Sequence, residues 1–307
     1  MVNVSYFFQF VDDPTIDADT PKANVQRAAA LLFATAEFRR RVCSGELAPD
    51  KVGKKGIPLC SVAYKYMFNA CRVPRRVQDT YRIYDPSRYT HSIVARKGHF
   101  FSIELVNNQG DPLPISTLEA QIQQCIDLAD AIPPTRPKLG LLTSGDRDVC
   151  ADARDHLLNK GGDQMKEALE KLESGAILLN LDDESPVSRR ECSELCWTGG
   201  KNSGDNRWFD KSIQISVANN GKAGLLGEHS MMDGMPVVNY ADSVTKMTYA
   251  EAKKISDGLS ATGVAVHDIF SNAIEKMQPT GLQELETKGK GATRLHLLRL
   301  RSVCLVD

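Results

Sequence analysis

An excess of charge of either sign is the first thing this sequence lacks. Its 38 Lys and Arg residues stand against 39 Asp and Glu, for a formal net charge of −1. Without a summed positive field, little remains to hold nucleic-acid phosphates or anionic lipid, and both fall away as expected partners. Nowhere does an apolar run approach the roughly 18 residues that a membrane-spanning helix needs. The opening Met1-Val-Asn-Val-Ser-Tyr-Phe-Phe8 has no basic residue ahead of its short apolar run, so it does not read as a secretory signal. Internal repeats and Gly/Ser-rich or Pro-rich linkers are missing too. So are Gly-x-Gly-x-x-Gly, Gly-x4-Gly-Lys-Ser/Thr and Gly-x-Ser-x-Gly, the signatures of dinucleotide sites, P-loops and hydrolase serines.

What is there is ordinary globular material. Hydrophobic residues make up 42% and charged residues 25%, which excludes wholesale disorder. A length of 307 residues suits one large domain or two small ones. The eight cysteines are Cys43, Cys60, Cys71, Cys125, Cys150, Cys192, Cys196 and Cys304. With no export signal, free thiols in a reducing compartment are expected rather than a disulfide framework. Cys192 and Cys196 stand one helical turn apart, but no second pair or neighbouring His completes a tetrahedral set, so no metal site is expected.

The pattern along the chain is mixed. Residues 22–41 carry Val25, Ala28, Ala29, Leu32 and Ala36 at helical spacing and end in a basic turn. Residues 115–131 and 147–174 read as further helices. The second opens with Ser144-Gly-Asp146 as a capping run and is broken at Gly161-Gly162. Residues 91–96 and 99–106 flank Lys97-Gly98 and predict a hairpin. Residues 176–181 and 212–218 are aliphatic or β-branched strand candidates. The expectation is an α/β (mixed α+β) fold, with helices packed on a mixed β-sheet. After Lys288 the chain turns basic, with Lys290, Arg294, Arg299 and Arg301 among leucines and no acid before Asp307.

Of six histidines, five offer little. His91 and His99 fall in the predicted hairpin and His156 on a polar helix, where pairing or surface roles are expected. His267, followed by Asp268, is placed on a helix, and His296 lies in the basic tail. His229 differs because Asp233 and Gly234 follow it, giving His-x-x-x-Asp-Gly. That pattern is expected by chance about 0.03 times in six histidines. A strand over 212–218, a turn at Asn219-Asn-Gly221 and an apolar run over 223–226 lead up to it. Gly234 and Pro236 are expected to keep a helix from continuing there, which leaves His229 at the end of an extended segment facing a loop. Spacing alone leaves two readings, a general base within reach of a substrate proton or a satisfied core histidine.

The residues around His229 resemble the choline/carnitine acyltransferases. Asn206-Arg-Trp-Phe-Asp-Lys211, Asn219-Asn-Gly221 and Glu228-His229-x-x-x-Asp233-Gly234 follow that family's second signature in order and spacing. Ser216 departs from it, standing where an apolar residue is expected. Cys71-Arg-Val-Pro74, His91-Ser-Ile-Val94, Gly140–Arg147, Met165–Leu172 and Leu179–Asp183 resemble further family segments. Asn3–Phe8 and the His229 motif look most like fungal carnitine acetyltransferases. Other His-x-x-x-Asp-Gly acyltransferases fit less well. Condensation domains carry two adjacent histidines, whereas Glu228 precedes His229 here.

The resemblance covers roughly residues 1–275. It implies a chloramphenicol-acetyltransferase-like domain over 1–287, incomplete at its start, followed by a divergent tail over 288–307. It implies transfer of a short acyl group between acyl-CoA, as co-substrate, and the hydroxyl of carnitine. His229 would be the general base and Asp233 the acidic residue that orders the site, with no tightly bound cofactor. Family members are about twice as long, and their other half supplies the CoA contacts and the residues that choose carnitine over choline. The chain alone is therefore expected to be weak or inactive, with an exposed apolar face that favours self-association. The alternative is a truncated, non-catalytic member acting through partner binding. For localisation the family implies mitochondria, peroxisomes or cytosol, and the chain shows no targeting signal.

Overall fold

A computed structural model describes residues 5–133, 136–202, 204–261 and 263–277. The basic tail over 288–307, with Lys288, Lys290, His296 and Cys304, lies outside the described residues. The chain begins with β1 (Tyr6–Gln9), α1 (Ala23–Ser44), β2 (Lys51–Val52) and β3 (Ile57–Pro58). It continues through β4 (Ala70–Val73), β5 (Thr80–Ile83), β6 (His91–Arg96), β7 (His99–Glu104) and α2 (Ile115–Ala131). Next come α3 (Arg147–Ser174), β8 (Leu178–Asp182), α4 (Arg189–Thr198), β9 (Ile213–Ala218) and β10 (Ala223–Gly227). It ends with α5 (Gly234–Lys246), α6 (Tyr249–Ser256), β11 (Val266–Asp268) and α7 (Ser271–Lys276).

Seven strands form one mixed sheet in the order β1-β10-β9-β8-β6-β7-β11. β8 runs parallel to β6 and to β9, and the remaining pairs are antiparallel. This is the expected arrangement of helices on a mixed sheet. Side chains alternate between the two faces with the period of a strand. Val94, Phe101, Leu179, Leu181 and Ile215 enter one core, with α1, α2, α5 and α6. Ile93, Ala95, Phe100 and Leu178 enter the other, with α3 and α7. Both faces are covered, and every residue of β6, β8 and β9 is buried, with the polar Asn180 bonded to Gln214 and Ser216 between strands.

Local chemistry sets the ends of these elements. α1 runs three residues past the predicted end, to Ser44, where Gly45 takes the left-handed conformation (φ 74°) and closes it. Asp146 caps α3 by accepting from the Asp148 N–H at 3.0 Å, and Gly162 (φ 57°, ψ −147°) breaks the helix at the expected place. Lys97 and Gly98 both have positive φ, 51° and 76°, so the β6–β7 turn has the twist that a two-residue hairpin prefers.

Two expectations are corrected. His267 and Asp268 are in β11, an edge strand paired with β7, rather than in a helix. β-branched Val266 favours extended backbone there, and the Asp268 carboxylate is held by the Arg136 guanidinium. Gly234 and Pro236 do not block a helix: α5 starts at Gly234. Pro236 falls in its first turn, where a backbone N–H has no partner within the helix to lose. His229 still lies at the end of the extended segment, as expected. Among the described residues, no helix is long and apolar enough to cross a membrane.

Candidate active site

His229 occupies the junction between a strand and a helix. β10 ends at Gly227, the Glu228 N–H extends the ladder to the Ser212 carbonyl at 3.0 Å, and His229 follows. Four residues on, Asp233 caps α5 by accepting from the Gly234 N–H at 2.7 Å. The Asp-Gly of the motif is thus a helix start, and the spacing carries the Asp233 carboxylate back beside the imidazole. Asp233 Oδ1 lies 3.7 Å from His229 Nε2, longer than a hydrogen bond. The two side chains are 34% and 87% exposed, so the carboxylate is largely solvated and the ring is not. Nδ1 of His229 is buried and has no hydrogen-bond partner.

Tyr6 closes one side of the ring. β1 pairs with β10 so that Tyr6 stands opposite Gly227. A Cβ at Gly227 would lie 2.4 Å from the Tyr6 ring, so glycine is what lets the phenol pack against this strand end. The Tyr6 ring meets the His229 ring nearly edge-on, at 5.0 Å between centroids and 81° between planes. Burial, aided by the charges of Glu228 and Asp233, raises the phenol pKa far above its ordinary value, so Tyr6 keeps its proton.

The other side is open. His229, Ser230 and Met231 line a cleft of about 830 Å³ together with Arg72, Asp79 and Arg147. Behind that wall lies a buried network of charges. Arg72 pairs with Glu228 (2.9 Å) and with Asp210 (2.8 Å), while Arg147 pairs with Asp210 (2.8 Å) and with Asp79 (2.7 Å). The arginines of this wall belong to β4 and to the start of α3. Asp210 belongs to the segment 206–211.

That segment is held from both ends. The Arg207 guanidinium, fully buried, makes a forked pair with Asp182 at the end of β8, each arm 2.9 Å long. Asn206 Nδ2 donates to the same carboxylate at 3.0 Å. Lys211 Nζ is also buried and donates to the carbonyls of Glu173 (2.6 Å) and Gly175 at the end of α3. Burial pulls its pKa down to about 8, against the partial compensation of Cys71 and Glu173. The motif is therefore a structural clamp that presents Asp210 to Arg72.

The other described histidines are not in this cleft. His91 and His99 are buried, and desolvation is the main cause that pushes their pKa values down to about 3 and about 4. His91 Nε2 lies 2.8 Å from the Lys171 carbonyl. His267 is exposed on the edge strand. Cys192 and Cys196 are buried free thiols on α4, and among the described residues no group of three side chains is placed to hold a metal. Sequence reading missed Tyr6, Glu228, Arg72 and Asp210 as parts of the site. Each sits inside a segment that resemblance had marked, but nothing in their spacing says that they meet.

The profile of the choline/carnitine O-acyltransferase family matches residues 1–291. The chain is 29% identical to the mitochondrial carnitine O-acetyltransferase of Saccharomyces cerevisiae over 242 residues, 76% of this chain and 35% of that protein. It is 35% identical to the highly reducing polyketide synthase ltbA of Aspergillus luteorubrus over 222 residues, 71% of this chain and 6% of that protein. With the mitochondrial carnitine O-palmitoyltransferase 2 of Xenopus tropicalis it shares 34% over 189 residues, 62% of this chain and 27% of that protein. The matched part of this chain thus spans about a third or less of each of these relatives.

Proposed function

Because the chain belongs to the choline/carnitine O-acyltransferase family, we propose that it carries the histidine-bearing part of a carnitine acyltransferase site, with His229 as general base. In this mechanism His229 Nε2 takes the proton from the hydroxyl of carnitine, and the alkoxide oxygen attacks the thioester carbonyl of acyl-CoA. The C–S bond then breaks, and the departing CoA sulfur takes the proton back from the imidazolium. Acyl-CoA is a co-substrate and no acyl-enzyme forms. Asp233, with its carboxylate 3.7 Å from Nε2, offsets the positive charge that develops on the ring.

The observation that carries the reading is the placement of one half-buried histidine on an open cleft, with Nδ1 turned inward and a carboxylate beside Nε2. A base needs reach to its substrate before it needs any particular pKa. The open cleft also supports weak turnover by this chain alone, because substrates are held from one side and most of the gain from positioning is lost.

Thiol release from acetyl-CoA is the test, with L-carnitine, choline or no acceptor, in the native chain and in His229→Ala. Slow carnitine-dependent release that disappears in His229→Ala is expected. Release that survives the substitution, or none above the no-acceptor rate in a chain folded by circular dichroism, refutes the reading. The 35% identity to a segment of a highly reducing polyketide synthase supports a second reading, in which the donor is a polyketide thioester. Release from such a thioester but not from acetyl-CoA would select it.

A further inference from the structure

We propose that Glu228, locked in place by Arg72, is the positioning residue that fixes the His229 ring. The proposal rests on the reading of His229 as the base and adds what holds it. Glu228 is adjacent to the histidine in sequence, yet its carboxylate is buried, with 2% of the side chain exposed. It cannot reach into the cleft as a second base, because both of its oxygens are engaged. Oε1 is 2.9 Å from Arg72 Nη1. Oε2 accepts from the Ser230 hydroxyl at 2.7 Å, and both oxygens lie 3.2 Å from the Ser230 N–H. One carboxylate therefore ties the residue before His229 to the residue after it, and the imidazole projects from the apex of that turn.

The anchor comes from elsewhere in the fold. Arg72 is fixed at its backbone, whose N–H donates to the Asp210 carbonyl at 2.8 Å, and at Nε, which donates to the Asp210 carboxylate at 2.8 Å. Asp210 is in turn paired with Arg147 at the start of α3. Cys71-Arg-Val-Pro74 and Asn206–Lys211, separate in sequence, become one brace that ends on Glu228. A buried pair of this kind is costly to break from one side, because the surviving charge is left without a partner. The turn at His229 should therefore shift when either member of the pair is removed.

Ring resonances of the histidines in the full chain provide the test, in a 1H–13C spectrum where the His229 signal is identified by its loss in His229→Ala. Tyr6 sits edge-on at 5.0 Å, so a small movement of the imidazole changes the ring-current shift it feels. Glu228→Ala and Arg72→Ala are each expected to move the His229 signal by more than its linewidth and to leave His91 and His99 in place. Glu228→Gln keeps an oxygen for Ser230 and should move it less. An unmoved His229 signal in Glu228→Ala overturns the proposal. Equal movement of His91 and His99 also overturns it, since that marks a general structural role. If Glu228→Ala does not fold, Ser230→Ala at an exposed position replaces it, with the same shift expected and its absence again decisive. None of these readouts needs turnover. A chain without carnitine-dependent thiol release would refute the proposed function and leave this test standing.

Discussion

Replacing Asp182 by asparagine, a change of one heavy atom, should destabilise this fold strongly. Asp182 and Arg207 form a forked pair with both arms at 2.9 Å, and the side chains are 2% and 0% exposed. Asparagine keeps the shape and one acceptor oxygen but removes the charge. The guanidinium then stays buried and positively charged, with only neutral partners left: the retained amide oxygen and the Leu195 and Asn206 carbonyls. Breaking a buried pair from one side costs about 3–5 kcal/mol. Set against a typical total of about 5–15 kcal/mol, that is a large share of the stability. Urea unfolding followed by tryptophan fluorescence, from Trp197 and from Trp208, which is buried next to Arg207, reads the change directly. The control is Asp182→Leu with Arg207→Met, which removes both charges and should recover most of the loss. A loss below about 1 kcal/mol in Asp182→Asn, or a double variant no better than the single one, would refute the argument that the uncompensated charge dominates.

Three further predictions concern pH and the site. His91 and His99 are neutral in the fold and take up a proton on unfolding below about pH 6.5, so stability should be full above that value. It should fall by about 1.4 kcal/mol per pH unit for each histidine as pH drops from there towards their depressed values of about 3 and 4. Denaturant midpoints measured from pH 7.5 to 5 check this, and a flat profile contradicts it. Gly227→Ala drives a methyl into the Tyr6 ring and should cost about 1–3 kcal/mol while shifting the His229 ring resonances. Wild-type stability with an unmoved His229 signal would show that the contact is not rigid. Asp233→Asn retains a good helix cap, so stability should stay within about 0.5 kcal/mol of the native chain while carnitine-dependent release falls. An unchanged rate would remove Asp233 from the mechanism.

Much of this protein is written in local pattern. α2 matches the span read from apolar periodicity, and the β6–β7 turn follows from Lys97-Gly98. The break in α3 follows from Gly161-Gly162, and the position of His229 past a strand end follows from the segments that precede it. These are short-range facts, set by backbone preference and by which face a residue presents. The two misreadings were also local in origin. Gly234 and Pro236 read as helix stoppers yet begin α5, and His267-Asp268 reads as helical where the open edge of β7 recruits a strand.

Tertiary structure alone decided what surrounds the histidine. Tyr6 reaches His229 because β1 pairs with β10 across more than two hundred residues of chain, and glycine at 227 leaves room for its ring. Arg72, Asp210 and Glu228 converge from three segments whose separations encode nothing about contact. An ion pair has no period, and a buried one exists only where the surrounding packing excludes water from both partners. The sequence by itself determined the residue types and the elements with a strong local pattern; the closed core determined the rest, including which charges face one another and where the imidazole points.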